Sequence, residues 1–164
     1  MLRKIEINNF KSFEHAEFDL KNFTLLAGRN SMGKTSVIQA IFAMIQNGKN
    51  PFRGEYMNIG KVQEVKNAIT GNGDIEFKIC YKTSEKEIEA SKVITKEGVS
   101  ESGEIDKLIN VIYCSSDRIG IEDTYKKYLG DKIIIGKNCE YVFHYLNAHD
   151  EDQMDPDRDF VYDV

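Results

Sequence analysis

Cysteine and histidine are scarce in this 164-residue chain, three of each, and their scarcity closes off several kinds of chemistry. Cys80, Cys114 and Cys139 are far apart and odd in number, so they form neither a metal-ligand spacing nor a disulfide framework. Each reads as a small buried apolar residue, and a reducing cytoplasm is the expected compartment. His15, His144 and His149 form no cluster either. No apolar run approaches the roughly 20 residues needed to cross a bilayer, so no membrane association is expected. The opening MLRKIEINNF lacks the apolar core of about 7–15 residues that a signal peptide carries, and export is not expected. Excess positive charge is missing too: the net charge of −5 offers nucleic acid no attraction. What is present, 41% apolar and 30% charged residues, suits one soluble domain with a real core.

The apolar pattern changes period along the chain. Ile5 and Ile7 alternate with Lys4 and Glu6, which predicts a strand over Leu2 to Asn8 with one buried face. Ala16, Phe18 and Leu20 repeat that period, with Asn9 to Phe13 as the connection. Phe23 to Ala27 is apolar apart from Thr24, and predicts a strand covered on both faces, as in a parallel sheet. Gly28 to Gly33 is a loop, and Lys34 to Gln46 reads as a helix. Val37, Ile38, Ile41, Phe42, Met44 and Ile45 nearly encircle that helix, so it should be largely buried.

Asn50 to Gly60 reads as an irregular loop, Lys61 to Ile69 as a short helix and Gly71 to Gly73 as a turn. Ile75, Phe77, Ile79 and Tyr81 alternate, and Ile88 to Ile94 returns after the polar turn Lys82 to Lys86, which makes an antiparallel hairpin. Lys96 to Gly103 is polar and expected to be mobile. Beyond it, Ile105 to Ile109 suggests a helical turn, Val111 to Cys114 and Ile133 to Ile135 short strands, and Asn138 the cap of a helix to Ala148. Six carboxylates between Asp150 and Asp159 read as a solvated tail. The fold expected is α/β with a mixed sheet: residues 1–149 form one compact lobe, and 150–164 an acidic tail or the start of a second lobe.

The stretch GRNSMGKT fits G-x-x-x-x-G-K-[ST], with Gly28, Gly33, Lys34 and Thr35 in the fixed places. Such a loop wraps a phosphate with successive backbone N–H groups, which glycines permit by adopting unusual dihedrals and allowing close approach. The helix that follows presents its N-terminus to the same anion. Lys34 would reach the β- and γ-phosphates, and the Thr35 hydroxyl would ligate Mg²⁺. A random chain of this length matches the pattern on the order of one time in a hundred. The match here also follows the buried strand expected over Phe23 to Ala27 and opens an apolar helix, the context the motif demands. The ligand expected is therefore ATP with Mg²⁺.

The stretch IEINNFKSFEHAEFDLKNFTLLAGRNSMGKTSVIQAI resembles the start of RecF/SMC-like and OLD-like ATPases, a branch of the ABC ATPase superfamily. Members begin with a strand, an N-F-[KR]-S/N-type turn, a second strand and then the P-loop strand; the turn here is Asn9 to Phe13. The loop with Asn30, Ser31 and Ser36 is similar to that of a subgroup of bacterial ATPases, some linked to phage defence. VIYCSSDRIGIEDTY and IIIGKNCEYVFHYL are similar to its later segments, so the resemblance is strong over 1–47 and loose over 105–148. It implies that Gly28, Asn30, Ser31, Met32, Gly33, Lys34, Thr35 and Ser36 surround phosphates and magnesium, with Lys11 near the nucleotide. Ser115 to Arg118 stand where such heads carry a γ-phosphate-sensing glutamine. No glutamine is present, and Asp117 or Arg118 is either a substitute or part of an ordinary polar turn.

Two family elements are absent from the sequence: the Walker B strand that ends in carboxylates, and the L-S-G-G type signature that completes a partner's site. The resemblance implies an N-terminal lobe whose C-terminal ATPase lobe is missing from this chain. It also implies an ATP-dependent homodimer of the full-length protein, with DNA contacted only indirectly. A stand-alone nucleotide-binding or scaffolding module without catalysis, and an ABC transporter nucleotide-binding subunit, are the competing readings. The NNFKSF turn fits the transporter poorly, and no N-K-x-D guanine reader is present.

Overall fold

The computed structural model describes residues 1–104 apart from 55, 72, 84 and 85, together with 113, 126–130, 135 and 139–148. The chain divides into two units, Met1–Ile109 and Asn110–Val164. The first contains β1 (Leu2–Phe10), β2 (Phe13–Asp19), α1 (Lys34–Ile45), α2 (Val62–Val65), β3 (Ile75–Lys82), β4 (Glu87–Ile94) and β5 (Val99–Ser102). Its five strands form one sheet in the order β2-β1-β3-β4-β5, and every pairing is antiparallel.

The period-two pattern places the core. Ile5 and Ile7 of β1 lie opposite Ile79 and Phe77 of β3, and all four are buried. Helix α1 packs on β1 and buries Val37, Ala40, Phe42, Ala43 and Met44. Ile38 remains 38% exposed, so the apolar ring around the helix is not wholly covered. The irregular stretch after α1 is part of the core rather than its wrapping. Phe52 stacks on Phe10 with centroids 5.5 Å apart, and Phe77 meets Phe10 edge-on at 5.1 Å. Aromatic groups bury about 150–250 Å² each, so this trio anchors the loop to the sheet.

Three expectations change. Lys96 to Gly103, expected to be mobile, contains β5, which pairs with β4 through a turn closed by Thr95 and Gly98. Its polarity reflects an edge strand with three of four residues exposed, and backbone pairing does not require apolar side chains. Phe23 to Ala27, expected as a strand buried on both faces, is in no strand, with Phe23 81% and Leu25 75% exposed. A strand exists only with a ladder partner, and these residues have none among the described residues; the parallel portion of the sheet is thus not formed in the described structure. The helix expected over Lys61 to Ile69 is a single turn, because the chain extends after Val65, and Val65 and Asn67 bond to Lys11 and Asn9 at the β1–β2 connection.

In the second unit, α3 (Val142–Ala148) has no buried residue. The Tyr128 amide donates to His144 Nδ1 at 3.0 Å, and the Tyr128 and Tyr141 rings meet edge-on at 5.3 Å. The elements expected at 105–109, 111–114 and 133–135, the cap Asn138, the residues Asp117 and Arg118 and the tail 150–164 lie outside the described residues, Tyr113 and Ile135 apart.

Candidate functional site

The β1–β2 connection and the loop before α1 face each other. In the connection, Asn9 (φ 55°) and Lys11 (φ 49°) take left-handed backbone conformations. Asparagine tolerates that region, but lysine rarely visits it. Surrounding bonds hold the pair there. The Lys11 amide donates to the Val65 carbonyl at 2.8 Å, and Asn67 Nδ2 donates to the Lys11 carbonyl at 2.9 Å. The Asn67 amide reaches the Asn9 carbonyl at 3.2 Å, and Asn9 Nδ2 donates to the Gly73 carbonyl. Both asparagines are buried, so the turn is fixed by a bonded polar network inside the fold.

On the other side, Ser31 (φ 66°) and Gly33 (φ 91°) curl the loop into the start of α1. Gly33 is the N-cap and offers no side-chain hydrogen bond, and the first turn of α1 has no acidic residue. The first N–H groups of a helix have no partner within it, and together with the macrodipole they favour an anion. A Cβ at Gly33 would lie 2.6 Å from Phe13 Cζ and 2.9 Å from Ser12 Oγ. A side chain here would have to displace the Phe13 ring and the Ser12 hydroxyl, and the φ of 91° independently favours glycine at this position.

Between them is a cavity of about 360 Å³ lined by Lys11, Ser12, Asn30, Ser31, Gly33, Lys34, Thr35 and Ser36. Most of the residues expected at the site are thus brought together. Gly28 is not in the lining but closes the loop at its base, because Lys34 Nζ donates to the carbonyls of Gly28 and Arg29 at 2.6 and 2.7 Å. Met32 is 68% exposed and outside the lining. Sequence reasoning missed Ser12, Gln39 and Asn67. Ser12 lies within the turn Asn9 to Phe13 and could have been found; the other two act from distant segments and left no signal.

Lys11 Nζ donates to Gln39 Oε1 at 2.6 Å and lies 5.8 Å from the centre of the Phe10 ring. Burial lowers its pKa, as expected for an ammonium moved from water to partial enclosure. Among the described residues no three His, Cys, Asp or Glu gather to hold a metal. The Thr35 hydroxyl group belongs to the cavity wall.

Residues 1–158 match the family model described as an AAA ATPase domain, and the chain belongs to that family. The RecF/SMC-like resemblance of its opening residues agrees with this assignment. No curated protein matches the sequence significantly. Solved structures do, among them the SMC head domain from Thermotoga maritima, at 19% identity and a TM-score of 0.45 over 66% of this chain. The chain spans 41% of that structure's length. No helix among the described residues is long and apolar enough to cross a membrane.

Proposed function

We propose that this chain is the ATP·Mg²⁺-binding N-terminal lobe of a RecF/SMC/OLD-like ATPase that serves DNA repair, DNA maintenance or phage defence. The cavity between the loop and the β1–β2 turn carries the reading, because it joins an uncapped helix N-terminus, Lys34, Thr35 and the Lys11 ammonium around one space. That is phosphate chemistry, with the hydroxyl suited to magnesium. Lys34, Thr35 and the loop amides bind and orient the phosphates. The carboxylate that positions water for hydrolysis comes from a C-terminal lobe, and the completed heads pair over ATP in the cytoplasm.

Exposed Phe23 and Leu25 favour this reading over a stand-alone module. Two large apolar side chains, 81% and 75% exposed and directly before the loop, suit a surface that another lobe covers. Direct DNA binding by this chain is not part of the proposal. The lysines of the β3–β4 hairpin are largely matched by carboxylates: Lys78 by Glu6 and Glu76, Lys86 by Glu104 and Lys92 by Glu101. Neutralising several DNA phosphates requires cations that are not already paired.

The direct test is calorimetry of ATP·Mg²⁺ with the wild type and Lys34→Ala. Loss of a charge-assisted contact of about 1.5–3 kcal/mol weakens binding by roughly 10- to 150-fold. Equal affinities would overturn the reading.

A further inference from the structure

The two basic side chains of the cavity are held in different ways. Lys34 is turned back on its own loop, with two carbonyl acceptors. Lys11 has one neutral acceptor, Gln39 Oε1, and among the described residues no carboxylate within ion-pair distance. Its backbone cannot drift, because Val65 and Asn67 bind its amide and carbonyl. What remains adjustable is the long side chain, and Gln39 sets where that ends. Gln39 lies four residues after Thr35 on α1, so the two side chains share one face of the helix. An ammonium has three N–H donors; Gln39 takes one of them.

We propose that Gln39 is a positioning residue for nucleotide recognition: its carbonyl oxygen orients the Lys11 ammonium so that the remaining N–H groups meet a phosphate oxygen in the cavity. The inference rests on the reading of the cavity as a triphosphate site, and it names a second cation contact with its orienting partner. The chemistry of the amide suits the task. A carboxylate at this position would neutralise the ammonium and compete with phosphate. An aliphatic side chain would leave a half-buried cation without direction, free to take many rotamers. A neutral acceptor fixes the geometry and leaves the charge available. The lowered pKa of Lys11 agrees with a cation that has a holder but no counter-ion.

The test uses the full chain and ATP·Mg²⁺ in calorimetry, with Gln39→Leu, Gln39→Glu, Lys11→Met and the double variant Lys11→Met/Gln39→Leu. Gln39→Leu should weaken ATP about fivefold, as coupled neighbours do, and should have no further effect once Lys11 is Met. Gln39→Glu should weaken ATP at least as much. A second readout needs no nucleotide: NMR titration of the lysine side chains should show the Lys11 pKa falling in Gln39→Leu and rising in Gln39→Glu. If Gln39→Leu binds ATP like wild type, or loses the same factor in both Lys11 backgrounds, Gln39 serves helix packing and the inference fails. An unmoved Lys11 titration has the same consequence. These failures leave the triphosphate reading standing provided Lys34→Ala still weakens ATP; if Lys34→Ala binds like wild type, the reading fails and the inference with it.

Discussion

At the C-terminal end of α1 the helix meets a cation supplied by the fold, whereas its N-terminal end is uncapped and faces a cavity. At the C-terminal end, Lys92 points into the core and is fully buried. Its ammonium donates to the Gln46 carbonyl at 2.8 Å and pairs with Glu101, directly opposite on β5, at 2.8 Å. The Gln46 side chain continues the closure, donating to the Pro51 carbonyl and accepting from the Tyr56 amide. A positive charge at a helix C-terminus complements the macrodipole. At the other end, Gly33 gives no side-chain cap and no acid stands in the first turn. The difference separates polar groups that the chain satisfies for itself from those that, on the proposed reading, a ligand would meet: the closed end contributes stability, and the open end is the proposed binding end.

Breaking the closed end should have the largest effect. Lys92→Ala leaves the Gln46 carbonyl without its charged donor, removes the partner of half-exposed Glu101 and opens a space in the core. Together these should lower stability by roughly 3 kcal/mol. Thermal unfolding would then begin roughly 6–12 °C lower. A midpoint unchanged within a degree would mean that the hairpin is held to α1 by its apolar contacts alone. A substitution at the open end should do less. Gly33→Ala keeps a positive φ that a side chain rarely adopts and pushes against Phe13 and Ser12. Chemical denaturation should report a loss of about 1–2 kcal/mol, and ATP affinity should fall with it because the wall of the cavity moves. Unaltered ATP affinity would separate the β1–β2 turn from the site.

The same contrast explains what was readable from residues. The open end was legible because its determinants are local: Gly33, Lys34 and Thr35 are consecutive, and a phosphate loop requires those types at that spacing. Strands β1, β3 and β4 were legible because one face of each is apolar with period two. Lys92 was not, since it sits in phase with Ile88, Ala90 and Ile94, and nothing local predicts a buried lysine there. Its partners Gln46 and Glu101 come from other elements of the fold. Asn67 and Gln39 were hidden in the same way, their partner Lys11 being 56 and 28 residues away. Phe23 to Ala27 was misread for a different reason. Its composition is that of a covered strand, but composition does not say whether the covering segment is supplied by this unit.

The smallest effect expected is also the most discriminating, because stability and binding should move in opposite directions. Lys11 has a φ of 49°, a left-handed conformation that costs an L-residue about 1–2 kcal/mol and glycine little. Lys11→Gly removes that strain, while the greater freedom of glycine in the unfolded chain offsets about 0.5–1 kcal/mol of the gain. The net stabilisation should therefore be under about 1 kcal/mol by denaturant titration. Lys11→Met keeps the strain and loses the ammonium with its hydrogen bond to Gln39, so it should show no such gain. Both variants lack the ammonium that faces the cavity, and both should bind ATP·Mg²⁺ more weakly than wild type. If Lys11→Gly were more stable and bound ATP unchanged, the strained backbone would serve only to pack the turn against Gly33. If both variants lost affinity and only the glycine variant gained stability, the strain would be the cost of placing a cation at the open end of α1.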